Sequence, residues 1–583
     1  MKALLLVQSE QRENTYGRYA GEILRAEGLN WFQVQELAAQ TPDSLAEFAL
    51  VILTRCFLAP GQVAMLADYV RAGGRLICFR PAPRLGQALG LEPRYAAQEG
   101  GTVRVEPTQP VGLGLCSERI QFHGLADHWQ VPGSADYAVG ALLEGADGDA
   151  HPALAWGQLG RGKVAVFTYD LPSTVAAIRQ GDPARANTLS GQADITYRAS
   201  ELFMGHLDES RAHIPQADIH MALLVNVVDA LMPDPLPRLW YYPQPAQRSV
   251  LVLTSDDDWS QIGDFEALME AAERRSGHVT FYLVPQTRVS PELAQAWAAR
   301  GHEISVHPDF SALHGPRAAL HGVDDQYFYE EDMLAAAVHG FERRFGAPVR
   351  TIRQHCIRWK GYVDAARTLA NLGVEMDVNY YSIQPFMASY MTGSGRPMRF
   401  VDERGALVGI FQQPTMISED TTIGAHGFSP HWSTPEALAR VEAIFDASIA
   451  RTYTPVCVNA HPISFTDYSR AFIEGILDLA HARQMPIVTA AVWLDFTQAR
   501  YAAEFEGLEW HGATLTFGLR GGDAQALTVA VPTGGRRLRR SLVEGQKVEA
   551  QRAQLYGREM VLLPVVPSSA LGGRRVRLEF ETL

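Results

Sequence analysis

The sequence predicts a multidomain α/β protein, and three observations point to it. Short apolar runs alternate with helical periodicity over residues 1–232, the same alternation returns over 249–498, and from Tyr501 onward only short alternating runs between Gly-rich turns remain. Alternating strands and helices build parallel sheets covered by helices, whereas strands alone build an antiparallel unit. A chain of 583 residues also exceeds what one hydrophobic core serves, at ~150 residues per domain. Hydrophobic residues make up 47% and charged residues 20%, which is ordinary globular usage and excludes disordered, collagen-like and coiled-coil classes.

Within 1–232, Ala3 to Val7, Ala49 to Leu53, Arg75 to Phe79 and Lys163 to Phe167 are the strand candidates. Val63, Leu66, Ala67 and Val70 share one helical face between two of them, and Gly73-Gly74 closes that helix. Pro233, Pro235, Pro237, Pro243 and Pro245 then interrupt any regular element. Residues 233–248 therefore form a semi-rigid linker whose Trp240, Tyr241 and Tyr242 pack on a neighbouring domain. Strand candidates resume at Val250–Thr254, Val279–Val284, Glu303–His307, Val349–Arg353, Val374–Val378, Val408–Phe411, Val456–Asn459 and Ile487–Thr489. Seven or eight such βα units imply a closed parallel barrel over 249–498. Residues 499–583 have the short alternating runs of a small β-sandwich, with a basic tip at Arg536-Arg537 that fits a solvated turn.

Charge and cysteine usage narrow the function. A net charge of −14 works against nucleic acid or an anionic membrane surface as partner. The cysteines Cys56, Cys78, Cys116, Cys356 and Cys457 are odd in number and scattered, with no CxxC pair, so they are expected as reduced thiols. The N-terminal segment lacks the apolar stretch of a signal peptide, and no run approaches the ~18 apolar residues of a spanning helix, so a cytoplasmic protein is expected. Gly157, Gly162 and Lys163 mimic a phosphate loop, but Val164 replaces the hydroxyl and the segment precedes a strand. The oligomeric state is not legible.

The chemistry lies at strand ends in 249–498. Asp256-Asp257-Asp258 follow one strand, His307 ends another, Arg353 and His355 close a third, Asp377 lies in a fourth and His461 follows VCVNA. Taken alone, each has a bland explanation: three aspartates before Trp259 can cap a helix, and a single histidine after a strand can be a satisfied core residue. His302, five residues before His307, falls on the opposite face of the strand and is expected to be structural. Recurrence decides the matter, because core histidines would not gather at the same end of separate strands.

Two family resemblances rest on these residues. LVILTRCFLAPGQVAMLADYVRAGGRLICF, residues 50–79, resembles the class I glutamine-amidotransferase-like domains of flavodoxin-like architecture that occur fused to carbohydrate enzymes. The nucleophile elbow of such a domain needs glycine on both sides of its cysteine, and neither Cys56 nor Cys78 has one, so both are expected as packing residues. In the barrel, Thr254-Ser255-Asp256-Asp257-Asp258 resembles the TFDDG motif of polysaccharide deacetylases with the NodB-type barrel, carbohydrate esterase family 4. The segments from Gly301 to Pro308, from Arg353, and from Asn459 to Pro462 resemble that family's metal-histidine, arginine and late-histidine motifs.

That resemblance implies a metal-dependent hydrolase that removes acetyl groups from a glycan or related amide. It makes Asp256 the general base, His461 the general acid and Arg353 the partner that orients Asp256. It makes Asp257 and His307 ligands of a divalent metal ion, expected to be Zn²⁺. Three positions depart from the family pattern: Asp258 replaces a glycine, Ser311 replaces the second ligand histidine, and the segment from Arg353 lacks the usual proline. A third ligand is then sought among Asp258, His314 and His355, with water as the fallback. His355 is preferred, because strand alternation puts it on the face of Arg353. The competing readings are an inactive glycan-binding or scaffold protein and a glycoside hydrolase using Asp256 and Asp377, which needs carboxylates ~5–10 Å apart.

Overall fold

The computed structural model describes residues 1–133, 136–145, 149–188, 197–309, 331–424 and 429–581. Its first sheet contains β1 (Ala3–Val7), β2 (Phe32–Glu36), β3 (Leu50–Leu53), β4 (Arg75–Phe79), β5 (Glu92–Val105), β6 (Ile120–Gln130), β7 (Tyr137–Glu144), β8 (Ala150–Leu159) and β9 (Gly162–Phe167). The order is β2-β1-β3-β4-β9-β8-β7-β5-β6. Strands β2, β1, β3, β4 and β9 pair in parallel, and β8, β7, β5 and β6 extend them antiparallel. The antiparallel half escapes the sequence pattern because β5 is largely exposed and lacks a buried apolar stripe. Buried β1 and β3 do show the continuous apolar run of central parallel strands.

The linker is more than a spacer. Arg238–Leu239 forms β10, which pairs antiparallel with a C-terminal strand, and Trp240, Tyr241 and Tyr242 are buried. Leu239 N–H donates to Gly28 O at 2.9 Å. Gly28 is left-handed, with φ of 76°, and a Cβ there would meet the Leu239 carbonyl oxygen at 2.2 Å, so only glycine admits this approach.

The second sheet is built from β11 (Leu251–Asp256), β12 (Thr280–Leu283), β13 (Glu303–Val306), β14 (Thr351–Ile352), β15 (Met376–Asp377), β16 (Met398–Val401), β17 (Leu407–Gln412), β18 (Ile417–Ser418), β19 (Val456–Ala460) and β20 (Ile487–Val488). Its path is β16-β17-β15-β14-β13-β12-β11-β19-β18, with β20 also on β11, and β16 is the one strand that pairs antiparallel. Beyond β15 the chain meets the segment before β18: Thr415 N–H donates to Tyr380 O and Ser382 N–H to Thr415 O, both at 2.9 Å. Hydrogen bonds therefore run from β11 round to β15, across to β18, and back through β19 to β11. Each of the eight sequence-read runs carries a strand, whereas Ile417–Ser418 is too short to leave a pattern.

Two antiparallel sheets close the chain. One joins β21 (Glu504–His511), β22 (Thr514–Arg520), β24 (Leu538–Val543), β25 (Gln546–Lys547) and β28 (Arg574–Phe580); the other joins β10 to β23 (Leu527–Pro532), β26 (Gln551–Leu555) and β27 (Arg558–Val565). One connected set of buried apolar side chains extends from Leu5 and Ile52 through Leu253 and Phe281 to Val529 and Leu578. A second, smaller set, including Leu4, Val51 and Leu66, covers the other face of the first sheet.

A buried cation ties these layers together. Arg396 pairs with Glu27, lies 3.7 Å from an Asp218 carboxylate oxygen, donates to Tyr556 Oη at 2.8 Å and stacks 3.9 Å over the Tyr241 ring. Tyr241 Oη donates to Glu27 at 2.6 Å. Removing one member of a buried ion pair strands the others, at a cost of roughly 3–5 kcal/mol. Arg396→Ala should therefore lower the urea midpoint markedly, while removal of the exposed Arg18, paired with Glu36 at 3.1 Å, should leave it nearly unchanged. Equal midpoints for the two variants would show that the cluster does not hold the layers.

Candidate active site

At the C-terminal end of β11 the chain makes an unusual turn. Asp258 and Trp259 both adopt left-handed backbone, with φ of 42° and 60°, which is costly for side chains with a Cβ and is often found where function demands it. The turn is held by Asp257, whose N–H donates to Tyr282 O at 3.0 Å and whose carboxylate accepts from Ser260 N–H at 3.1 Å. Burial pushes the Asp257 carboxyl up to about 6. Its side chain is fully buried, and no ion pair links it to a histidine among the described residues.

Of the two aspartates that follow Asp256, Asp258 comes within ion-pair distance of the histidines, while Asp257 feels the charge of His307 without such a contact. Asp258 Oδ1 lies 3.5 Å from His307 Nε2 and 3.9 Å from His355 Nε2, while Oδ2 lies 3.6 Å from His461 Nε2. Two left-handed residues in succession swing the Asp258 side chain back over the strand ends. In an extended segment Asp258 would point to the face opposite Asp257.

The two histidines are oriented from behind. His307 is buried and places Nδ1 2.7 Å from Arg353 O, a contact that makes Nδ1 the protonated nitrogen and leaves Nε2 facing Asp258. His355 places Nδ1 3.0 Å from Asp309 Oδ1. Burial opposes the charged form of His355, but the hydrogen bond it donates to Asp309, with Cys356 and Asp258 nearby, outweighs it and raises the imidazole to about 10. Asp258 experiences the reverse balance. Burial disfavours its anion, yet His461, His307 and His355 hold its carboxyl well below the usual range.

Asp256 sits under this cluster, 4% exposed. Arg353 Nη1 donates to Asp256 Oδ1 at 3.2 Å, and Asn459 Nδ2 donates to Oδ2 at 3.0 Å. Arg353 is fully buried and also donates to Thr254 Oγ1 at 2.8 Å and Thr415 Oγ1 at 2.6 Å, between the rings of Tyr282 and Tyr381. His461 Nε2 lies 3.9 Å from Asp256 Oδ2.

His461 is backed by Glu419, a fully buried residue that the sequence reading missed. Glu419 Oε1 accepts from the His461 backbone N–H at 2.8 Å and lies 2.6 Å from His461 Nδ1. Burial works against an imidazolium here, but the Glu419 and Asp258 carboxylates overcome it and raise His461 well above the ordinary histidine value. Ser418-Glu419-Asp420 follow only the apolar pair Met416-Ile417, a run too short to mark a strand end in the sequence.

Asp377 is not part of the mouth. It is fully buried, and its carboxylate accepts from Asn379 N–H at 3.1 Å and from Asn379 Nδ2. A carboxylate enclosed in this way has no room for a sugar beside it, which removes the second acid of the glycosidase reading. Ser311 and His314 lie outside the described residues.

Two sets of side chains have the chemistry to hold a cation. Glu419, Asp420 and His461 bring one ligand atom each within 4.8 Å of one another, but the close Glu419–His461 contact is that of a hydrogen bond. In the second set, Asp258 Oδ1 lies 3.5 Å from His307 Nε2 and 3.9 Å from His355 Nε2, but the three atoms are not all within 4.8 Å of one another. Asp258 Oδ1 and Asp257 Oδ2 are both buried without a hydrogen-bond partner, which is how a donor atom stands when a cation is its proper neighbour. Both sets carry donor types that suit a divalent ion.

No protein-family model matches the chain, and no curated protein matches it. Among solved structures, a protein described as a polysaccharide deacetylase from Mycobacterium smegmatis shares 15% identity over 45% of this chain and 94% of its own, with a TM-score of 0.33. A ThuA-like protein from Bacteroides uniformis shares 14% over 29% of this chain and 82% of its own, with a TM-score of 0.24. A β-galactosidase from Rahnella sp. R3 shares 17% over 29% of this chain, with a TM-score of 0.24, and this chain spans 28% of that protein's length. Carbohydrate-active enzymes are thus among the partial structural matches, all of them at low scores. Among the described residues no helix is long and apolar enough to cross a membrane.

Proposed function

We propose that residues 249–498 form a distorted (β/α) barrel of NodB type and that the chain is a metal-dependent hydrolase removing an acetyl group from a glycan or related amide. The observation that carries this reading is the convergence, at one mouth, of a clamped carboxylate, an aspartate that faces three histidines and a carboxylate-backed imidazolium. A hydrolase of amides needs these three parts: a base for water, an electrophile for the carbonyl, and an acid for the leaving nitrogen.

Asp258, His307 and His355 would hold the ion, and a bound Zn²⁺ or similar ion would polarise the acetyl carbonyl and acidify water there. Asp256 is the proton acceptor. Its two oxygens are fixed by Arg353 and Asn459, so the remaining lone pairs point toward the cluster rather than sampling rotamers. His461 is the proton donor. Glu419 fixes Nδ1, leaving the Nε2 proton directed at the space between Asp256 and Asp258, where a departing amine would take it. Asp257 has the separate task of holding the turn that presents Asp258.

Metal content distinguishes the two aspartates. In protein purified without added metal, Asp258→Asn and His307→Ala should lose the ion, and Asp257→Asn should keep it at reduced thermal stability. A metal-free Asp257→Asn beside a metal-replete Asp258→Asn would reverse the assignment.

Asp256→Asn and His461→Ala should retain the ion while acetate release from acetylated oligosaccharides falls ~10²–10⁴-fold, the usual worth of a positioned proton-transfer group. Glu419→Gln should show a smaller loss, together with a shift of the alkaline limb of the pH–rate profile to lower pH, because the carboxylate that holds the His461 proton is gone. Wild-type acetate release in both Asp256→Asn and His461→Ala would refute the roles, and no acetate from any acetylated glycan with metal-loaded wild type would refute the activity.

A further inference from the structure

Loops at the carboxyl ends of β3 and β4, together with residues of β5 and β6, line a second, open cavity of about 340 Å³ in the first sheet. Strand order β2-β1-β3 reverses direction between β1 and β3, and open parallel sheets bind their ligands outside the strand ends at such a reversal. The volume lies within the ~300–1,000 Å³ typical of small-molecule sites.

We infer that this cavity binds a saccharide, by a site separate from the barrel mouth. Phe57 and Tyr95 line it and are 61% and 82% exposed, unusual for aromatic rings outside an interface. The loop that carries Phe57 is braced. Gln11 clamps Phe57 from both sides, accepting from Phe57 N–H at 2.7 Å and donating to Phe57 O at 3.1 Å, and Asn14 donates to Arg55 O at 2.7 Å. A ring presented on a braced loop costs little further ordering when a ligand stacks on it.

The polar lining selects a neutral, hydroxyl-rich ligand over an anion. Arg80 donates two hydrogen bonds to Asp127, at 3.0 and 2.9 Å. Arg55 and Arg80 both act on half-buried Asp170, whose carboxyl is lifted by desolvation to about 6 against their pull. The lining holds two cations, Arg55 and Arg80, and two anions, Glu13 and Asp127, so its formal charges balance, and the carboxylates offer acceptors to sugar hydroxyls. Cys56 supplies no chemistry in this cavity, since burial lifts its thiol to about 12. Stacking rings with flanking planar acceptors suit the apolar face and equatorial hydroxyls of a pyranose.

Isothermal titration of the full chain with cellobiose, chitobiose and lactose tests the inference. At least one should bind wild type at millimolar concentration, and the Phe57→Ala/Tyr95→Ala double variant should bind it roughly tenfold or more weakly. Both side chains are exposed, so the double variant should melt at the wild-type temperature. Undiminished binding in the double variant would overturn the inference, as would no binding of any of the three disaccharides by wild type.

Discussion

A guanidinium shut away from water has to be satisfied by protein, and the second sheet is arranged around that demand. Arg353 draws on Thr254 and Asp256 of β11, Thr415 before β18, Val378 after β15 and Asn459 of β19, with tyrosine rings above and below it. Strands far apart in sequence are thereby pinned at the same height. Its own carbonyl turns His307, so one residue orients both the clamped carboxylate and one of the cation-facing histidines. Leaving such a cation unpaired in the interior would cost several kcal/mol, which makes the hub a constraint on every neighbouring side chain.

The same logic of backing each reactive group recurs around it. His355 is backed by Asp309, His461 by Glu419, and Asp258 by a strained turn that Asp257 secures. Buried carboxylates behind imidazoles fix which nitrogen carries the proton and raise the charged form. The mouth is therefore preorganised from its periphery inward, and the three consecutive aspartates divide into a clamped carboxylate, a structural one and a histidine-facing one.

Much of the fold was legible because buried parallel strands leave unbroken apolar runs, as in Ala3–Val7 and Leu50–Leu53. The exposed β5 and the two-residue β18 left no such trace, so the antiparallel extension and the bridge through Thr415 could be seen only in three dimensions. Within the site, Asp256, His307, Arg353, His355 and His461 stood out by their recurrence at strand ends, and the structure brings these five together. The choice between Asp257 and Asp258 was not legible. It depends on φ at Asp258 and Trp259, and sequence alternation presumes an extended chain there. Glu419 and Asp309 were missed for a different reason: each acts through a histidine, and a backing carboxylate carries no motif of its own.

The most direct test of the account is anomalous diffraction from crystals of the protein as purified, recorded above and below the zinc absorption edge. A single peak bounded by Asp258, His307 and His355, with Asp257 turned to Ser260, is the predicted result. A peak among Glu419, Asp420 and His461, or a metal-bound Asp257, would contradict it.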